Sequence, residues 1–334
     1  MRVGRVLGTT VVAATLAVLA ATTAGAATPT VTRVAGANRY DTSAQISSRF
    51  PAHPAVAFVA SADTFPDALS AGPAAAHRES PVLLVRQDAI PESVQTELHR
   101  VHPDNIILLG GTDAVSDRVG QKLLDTNYTN GTVTRIAGAD RYETAAMVSA
   151  ATFAPGVPVA YVATGEDFAD ALSGAAAAGA GGGPVLLVRP SFVPAAVGAE
   201  LTRLKPASIV VLGGTSSVSD AVQTSLGSYT KTVVRRAGAD RYATAAAVSA
   251  AAFPNGAATA YVASGEVFPD ALSAGSAAAL TPAPVLLVQS SCMPVVVSQE
   301  IDRLKATSLV VVGGTDAVSD NAASRISCPT LVVD

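Results

Sequence analysis

The chain has 334 residues and a formal net charge of −4, and only 14% of its side chains are charged. It contains no tryptophan, and aromatic residues make up 4% of the sequence. A weakly acidic chain without a basic block argues against nucleic acid as a partner. The missing indole rings also disfavour carbohydrate binding that depends on stacking a sugar on a flat side chain.

The first 26 residues have the pattern of an export signal. Arg2 and Arg5 precede a long apolar run, and Ala24-Gly25-Ala26 provides a small-residue cleavage site. We expect a mature chain that begins near Ala27, with 20 basic and 26 acidic side chains and a net charge of −6. No later segment approaches the roughly 18 consecutive apolar residues of a membrane span. The sequence therefore predicts a secreted protein.

Three motifs recur along the rest of the chain at steps of about one hundred residues. They are Ala-Gly-Ala-(Asn/Asp)-Arg-Tyr, Phe-x-Asp-Ala-Leu-Ser and a Gly-Gly-Thr turn that begins at Gly110, Gly213 and Gly313. Such a period is too long for a solenoid, whose repeats run about 20 to 50 residues. We therefore predict three tandem modules at residues 27–131, 132–231 and 232–334.

Within each module, apolar runs of strand length alternate with helical segments. In module two we predict strands at 133–136, 159–163, 184–188 and 209–212, and helices at 141–153, from 171, at 194–204 and after Ser219. Asp140 and Glu143 form a capping box, and Asp170 and Ser219 are predicted helix caps. Apolar strands between helices indicate a small parallel sheet covered on both faces. Because no linker separates the copies, we expect three α/β modules packed as a pseudo-threefold assembly.

Two features concern the third module. Leu331-Val332-Val333 resembles the strand that opens each module, and we expect it to close the third sheet. The only two cysteines, Cys292 and Cys328, suit a disulfide in an exported protein, and two unpaired buried thiols are the alternative.

The recurring polar residues follow strands, and in open α/β sheets ligands bind at the carboxyl ends of the strands. The first helical position after the cap carries an arginine, although a cation there opposes the helix dipole. Its guanidinium could hold a phosphate or carboxylate, or pair with a carboxylate of its own module. The candidates are Arg39, Arg141 and Arg241, with the strand residues Arg33, Arg135 and Arg235 as secondary candidates.

The second motif contributes carboxylates. Its aspartates are interpreted first as helix caps. With an acidic residue four positions earlier they could also hold a divalent cation or accept hydrogen bonds from sugar hydroxyls, and acid–base catalysis is the weakest reading. These residues are Asp67, Asp170 and Asp270, preceded by Asp63, Glu166 and Glu266. The remaining ligand candidates are Tyr40, Tyr142, Tyr242, Ser70, Ser173 and Ser273.

No motif common to the modules supports catalysis. The four histidines all lie in module one and outside the recurring motifs: His53, His77, His99 and His102. There is no Gly-x-Ser-x-Gly elbow and no phosphate-binding loop motif. We predict no catalytic residue, no metal and no cofactor.

The ordered motifs Arg-x-x-Gly-x-(Asn/Asp)-Arg-Tyr, Phe-(Pro/Ala)-Asp-Ala-Leu-Ser, Pro-Val-Leu-Leu-Val and Gly-Gly-Thr resemble those of the cell wall binding repeat 2 family. The resemblance covers the chain from about residue 31 onward. It implies Rossmann-like or toprim-like modules, three to a disc, that anchor exported proteins to anionic wall polymers of Gram-positive bacteria, such as teichoic acid. In that family the triplet usually accompanies an effector region, and none is recognised in this sequence.

The leading hypothesis is a non-catalytic protein that binds an anionic secondary wall polymer, or a glycopolymer associated with peptidoglycan, noncovalently through three similar grooves. Its expected location is the cell wall. A self-assembling structural surface protein is the alternative. A wall hydrolase or a modifier of an amidase ranks lower.

Overall fold

The computed structural model describes residues 28–64, 67–125, 127–267 and 269–329. The predicted export signal and the C-terminal segment 331–333 lie outside the described residues.

The described chain alternates strands and helices in the predicted order. Its strands are β1 (Thr30–Val34), β2 (Val56–Ser61), β3 (Val82–Val85), β4 (Asn105–Leu109), β5 (Val133–Ile136), β6 (Val159–Thr164), β7 (Val185–Val188), β8 (Ser208–Leu212), β9 (Val233–Arg236), β10 (Thr259–Ser264), β11 (Val285–Val288) and β12 (Ser308–Val312). Its helices are α1 (Arg39–Ser47), α2 (Ala71–His77), α3 (Glu92–Val101), α4 (Asp117–Asp125), α5 (Arg141–Thr152), α6 (Ala169–Gly181), α7 (Ala195–Leu204), α8 (Asp220–Leu226), α9 (Arg241–Ala252), α10 (Pro269–Leu280), α11 (Val295–Leu304) and α12 (Asp320–Ala323). A 3₁₀ turn at Asp67–Ser70 leads into α2.

The strands form three parallel four-stranded sheets, which confirms the α/β fold class. Their strand orders are β3-β2-β4-β5, β7-β6-β8-β9 and β1-β12-β10-β11. The strands β2 and β6 are buried along their whole length, as their continuous apolar sequences require.

Each sheet takes its fourth strand from another sequence copy. β5 opens the second copy but pairs with β4 of the first, and β9 opens the third copy but pairs with β8 of the second. The third sheet is completed by β1 at the start of the chain, with Thr30 opposite Ser308 and Val34 opposite Val312. β1 thus occupies the edge beside β12, and the predicted C-terminal strand at 331–333 lies outside the described residues. The three sheets form a ring that is closed noncovalently.

Three helices made almost wholly of small residues meet at the centre of the ring. α2, α6 and α10 pack against one another in all three pairings, as a pseudo-threefold arrangement requires. The equivalent residues Gly72, Ala175 and Gly275 lie at the contact. A Cβ on either glycine would lie 3.0 Å from the Cβ of Ala175. The small side chains therefore allow the backbones of the three helices to approach one another closely.

The predicted disulfide is confirmed, since Cys292 and Cys328 are bonded. The bridge joins the loop before α11 to the segment after α12, where Met293 and Ser327 also form a β-bridge. Closing a loop with a sequence separation of 36 residues contributes about 4 kcal/mol in the chain-entropy model. None of the described helices is both long and apolar enough to cross a membrane.

Candidate functional site

A polar cleft lies at each of the three junctions between modules. The 1–2 cleft lies between Asp67 with the turn 111–114 of the first module and the loop 138–141 of the second. The 2–3 cleft and the 3–1 cleft are formed by the equivalent segments. The clefts lie between modules because the first strand of each copy pairs with the sheet of the preceding copy. The loop that follows this strand therefore lies beside the Gly-Gly turn of the preceding copy. The sequence left open whether sites lie within or between modules, and these clefts lie between them.

One arginine at the start of a helix lines each cleft: Arg141 the 1–2 cleft, Arg241 the 2–3 cleft and Arg39 the 3–1 cleft. Each lies at the first helical position, as predicted, after an aspartate or asparagine cap. Each Nη1 donates to a backbone carbonyl at the end of a central strand, over 2.9 Å from Arg39 to Ala62, 2.5 Å from Arg141 to Gly165 and 2.6 Å from Arg241 to Gly265. This bond fixes the guanidinium at the cleft.

The aspartate of the second motif faces that arginine across each cleft. Asp170 and Asp270 are 8% and 9% exposed, and Asp67 is half-buried. Burial raises the pKa of all three carboxyls, and the positive charge of Arg141, Arg241 or Arg39 opposes part of that rise. Each cleft therefore places an arginine beside a carboxylate that is costly to bury.

The first glycine of each Gly-Gly turn makes room for this aspartate. Gly213 has φ of 89°, a left-handed conformation that side chains disfavour. A Cβ built there would lie 2.1 Å from Asp170 Oδ2. Gly110 and Gly313 also have a positive φ, of 95° and 106°, and a Cβ added there would lie 2.8 Å from Asp67 Oδ2 and 2.5 Å from Asp270 Oδ2. The turn and the second motif are thus parts of one cleft.

The prediction that these aspartates cap helices is wrong. α6 begins at Ala169, so Asp170 lies inside its first turn, and Phe168 occupies the cap position without a side-chain cap bond. Asp167 instead accepts hydrogen bonds from the Phe168 and Ala169 amides, at 2.6 and 3.3 Å. In contrast, the predicted caps Asp140 and Ser219 are confirmed. Glu143 reaches back as predicted, but it accepts from the Ala139 amide, at 2.6 Å, one residue before the cap Asp140.

The strand arginines hold the Gly-Gly turns and do not line the three clefts. Arg135 Nη1 donates to the carbonyls of Gly110 and Val115, at 2.8 and 2.7 Å. Arg33 and Arg235 make the corresponding bonds to Gly313 and Gly213, both at 2.8 Å. Each also contacts an exposed aspartate at the start of the next helix. Their guanidinium groups are committed to the fold.

The tyrosine and serine candidates are not among the described residues that line the clefts. The serine hydroxyls are buried and donate to backbone carbonyls three residues earlier. This geometry does not support a binding role for Ser70, Ser173 and Ser273. Tyr40 and Tyr142 are also buried, and Tyr242 is half-buried.

The acidic residues four positions earlier tie neighbouring loops together. Asp63 accepts a hydrogen bond from the Tyr40 hydroxyl at 3.0 Å, Glu166 pairs with Arg189 at 3.8 Å and Glu266 accepts from the Ser290 hydroxyl at 2.6 Å. Among the described residues, no group of three or more His, Cys, Asp or Glu side chains is arranged to hold a metal ion.

The three clefts differ, which their shared motifs did not indicate. The 1–2 and 3–1 clefts have volumes of about 390 and 380 Å³, and the 2–3 cleft has about 140 Å³. In the 2–3 cleft, Asp167 pairs with Arg241 at 3.1 Å. Thr64 and Val267 occupy the equivalent positions at the other clefts and cannot form this ion pair. The ion pair lies in the cleft with the smallest volume of the three.

The structure thus defines a ring of three α/β modules with a polar, arginine-bearing cleft at each junction. A family model described as cell wall binding domain 2 (CWB2) matches residues 33–120, 135–223 and 235–323. The chain therefore belongs to the CWB2 family of cell wall binding domains, and the resemblance inferred from its motifs is confirmed.

Two curated relatives come from Bacillus subtilis (strain 168). The chain is 28% identical over 301 residues to N-acetylmuramoyl-L-alanine amidase LytC, covering 90% of this chain and 59% of that protein. It is 30% identical over 193 residues to the amidase enhancer, covering 58% of this chain and 26% of that protein. The chain thus spans less than two thirds of the length of these relatives.

Two solved structures are similar to the whole ring. Cwp6 from Clostridium difficile matches with a TM-score of 0.80 and 26% identity, over 90% of this chain and 48% of that one. Cwp8 from the same organism matches with a TM-score of 0.78 and 27% identity, over 86% of this chain and 50% of that one. The three-module fold is therefore shared with these proteins.

Proposed function

We propose that this chain is an exported, non-catalytic binding protein that attaches noncovalently to an anionic secondary polymer of the cell wall. The observation that carries the proposal is the same arginine-bearing cleft at all three junctions of a wall-binding fold. A guanidinium held by a backbone carbonyl retains N–H donors that can bind a phosphate or carboxylate.

The ring arrangement suits a repetitive ligand. Each cleft is open and contains one arginine, so we expect weak binding of a single polymer unit. When one unit is held, the next cleft meets the same polymer at a high effective concentration, and the combined affinity exceeds that of any single cleft. The three sequence copies are then three contacts of one binding surface.

Variants of the three arginines test this proposal. Arg39→Ala, Arg141→Ala and Arg241→Ala should each weaken binding to purified Gram-positive sacculi severalfold in cosedimentation, and the triple variant should nearly abolish it. A variant in which all three arginines are replaced by lysine keeps the positive charges but loses the planar guanidinium groups. We expect its binding to lie between that of the unmodified chain and that of the triple alanine variant. Arg118→Ala, at an exposed position on α4, is the matched control. Unchanged binding by a folded triple alanine variant would remove these arginines from the site.

The nature of the polymer is tested with sacculi that have been stripped of phosphate-linked polymers by acid. We expect binding to intact sacculi only, and binding that falls as salt is raised, because exposed charge contacts are screened. Equal binding to stripped sacculi would identify peptidoglycan as the ligand. No binding to either, together with concentration-dependent assembly, would favour the self-assembling surface protein.

A further inference from the structure

An exposed aromatic ring, a guanidinium and a carboxylate lie together on the second module. Phe192 follows β7 and is 52% exposed. The Cζ of Arg189 lies 5.8 Å from the centre of the Phe192 ring and 5.0 Å from that of the buried Tyr142 ring. Glu166, in the loop after β6, lies 3.8 Å from Arg189. The three exposed groups follow the carboxyl ends of parallel strands, where ligands bind in open α/β sheets.

The turn that carries Phe192 is fixed by backbone hydrogen bonds. The Arg189 amide donates to the Phe192 carbonyl at 3.2 Å, and the Ser219 amide before α8 donates to the Pro190 carbonyl at 2.9 Å. The aromatic ring is therefore held at the surface by an ordered turn. A ligand that packs on such a ring loses little affinity to the ordering of the protein.

The polar groups beside the ring keep capacity for hydrogen bonds. The guanidinium of Arg189 donates no hydrogen bond in the described part of the chain, and Glu166 at 3.8 Å is beyond hydrogen-bond distance. Their side chains are 45% and 52% exposed. Arg189 can donate to a ligand oxygen, and Glu166 can accept from a ligand hydroxyl.

This combination fits a neutral sugar. One positive and one negative group lie side by side, so a charged ligand group that is attracted by one is repelled by the other. A pyranose ring presents C–H groups on its face, which can pack on an aromatic ring, and its adjacent hydroxyls both donate and accept. A protein partner fits less well, because a stable interface covers about 800 Å² on each side. Phe192 is the one exposed large apolar side chain in the described loops that follow β6 and β7.

We propose that Phe192, Arg189 and Glu166 form a subsite for a neutral sugar unit of a wall glycopolymer. The face of the sugar packs on Phe192, one sugar oxygen accepts from Arg189, and an adjacent hydroxyl donates to Glu166. This inference rests on the proposed function and adds that the bound polymer carries neutral sugars as well as anionic groups. The equivalent positions of Phe192 are Ala89 and the disulfide-bonded Cys292, so the subsite belongs to the second module.

The subsite adjoins two of the clefts. The carbonyl of Gly165 accepts from Arg141, which lines the 1–2 cleft, and Asp167 pairs with Arg241 in the 2–3 cleft. Glu166 lies between Gly165 and Asp167 in the chain. The subsite can therefore hold a sugar of a polymer whose anionic groups occupy a neighbouring cleft, and the two contacts reinforce each other.

A fluorescent reporter tests the subsite directly. The chain has no tryptophan, so Phe192→Trp creates a reporter at this position alone. Its emission is followed in the full chain as the methyl glycosides of glucose, galactose and N-acetylglucosamine are added. Sorbitol, which has hydroxyls but no ring face, is the control ligand. We expect a saturable blue shift with at least one glycoside and none with sorbitol, whereas Leu124→Trp, at a 48% exposed position on α4, should not respond.

Further variants test the role of each group. Adding Arg189→Ala to the reporter chain should weaken glycoside binding about tenfold, because a hydrogen bond from a charged donor is lost. Phe192→Ala should weaken binding of the chain to intact sacculi about three- to tenfold, and Phe192→Tyr, which keeps the ring, should bind like the unmodified chain. A loss on intact sacculi alone assigns the sugar to the secondary polymer, and a loss on acid-stripped sacculi as well assigns it to peptidoglycan.

Several results would overturn the subsite. These are no response to any glycoside, an equal response of Leu124→Trp, tighter binding of methyl glucuronide than of methyl glucoside, or sacculus binding unchanged by Phe192→Ala. A loss for Phe192→Ala that appears only with sacculi that have kept their proteins would indicate a protein partner instead. If the proposed function itself fails, the unmodified chain does not bind sacculi, whereas failure of the subsite leaves that binding intact.

Discussion

A recurrent buried ion pair provides a stability test with an internal control. Glu200 on α7 is 5% exposed and accepts from Arg203 Nε at 2.7 Å and from the Ser149 hydroxyl at 2.5 Å. Arg203 also donates to the carbonyl of Phe153, at 2.8 Å, so the network ties α7 to the end of α5. The third module repeats it with Glu300, Arg303 and Ser249.

The first module lacks one bond of this network. Glu97 still pairs with Arg100, at 2.6 Å, but the buried Ser47 hydroxyl has no partner in the described structure. A hydrogen bond to a charged group contributes about 1.5 to 3 kcal/mol. Because Glu200 keeps its arginine, we expect Ser149→Ala to lower the free energy of unfolding by about 1.5 to 2 kcal/mol. Ser47→Ala removes an unsatisfied hydroxyl, so we expect a change between about zero and a gain of 1 kcal/mol.

The measurement is urea unfolding followed by circular dichroism, with the slope in urea compared between variants to confirm that the same surface is exposed. Ser249→Ala serves as a second positive case and should match Ser149→Ala, because its hydroxyl donates to Glu300 at the same distance of 2.5 Å. Equal losses for Ser47→Ala and Ser149→Ala would refute the reasoning. Such a result would mean that the hydroxyl bond to the glutamate contributes nothing beyond packing.

Three further predictions concern the clefts. Burial raises the pKa of Asp170 above its ordinary value of 3.8, so the folded chain binds the proton of this carboxyl more tightly than the unfolded chain does. The free energy of unfolding should therefore fall as the pH rises from about 4 through the raised pKa. Asp170→Asn should lessen this fall, measured by urea unfolding at successive pH values, and an unchanged pH profile would contradict it. Gly213→Ala should lower the free energy of unfolding by about 2 to 4 kcal/mol, because Gly213 has a positive φ and the new Cβ would clash with Asp170. The control Gly214→Ala should lower it far less, because the atom nearest to a Cβ added there is 4.0 Å away. Asp167→Thr should tighten polymer binding by about two- to fivefold in cosedimentation. The substitution removes a half-exposed ion pair, worth about 0.3 to 1 kcal/mol, that competes with the polymer for Arg241. Weaker binding would show instead that Asp167 contacts the ligand.

The local elements could be predicted from the sequence because each depends on a few neighbouring residues. Continuous apolar runs predicted β6, β7 and β8 to within a residue or two of their observed ends. The capping box and Ser219 correctly located the starts of α5 and α8, since a cap bonds to amides only two or three residues away.

The sequence could not assign each opening strand to its sheet. A strand such as Val133–Ile136 has the same apolar character whichever neighbour it pairs with, and long-range packing decides the pairing. The aspartate of the second motif was misread for a related reason. The cap position of α6 is Phe168, only two residues before Asp170, and the apolar pattern does not locate a helix start to within two residues.

One signal in the sequence was present but not used. Glu-x-x-Arg recurs at Glu97, Glu200 and Glu300, at the same steps of 103 and 100 residues as the second motif. Acidic and basic residues three apart on a helix are usually an exposed surface pair, with little effect on stability. In-phase recurrence in all three copies was the evidence that this pair has a fixed structural role.

Strand exchange links the clefts to the closure of the ring. The 1–2 and 2–3 clefts are built from segments that the chain connects directly through β5 and β9, so each cleft forms when its neighbouring modules fold. The 3–1 cleft instead joins residues 36–39 and 42 with residues 267, 269–270, 314 and 316–317, and it depends on the pairing of β1 with β12. Arg33 holds that pairing through the carbonyls of Gly313 and Val318, both at 2.8 Å. A change that loosens β1 should therefore weaken the 3–1 cleft before the other two, and the third contact with a polymer depends on the noncovalent closure of the ring.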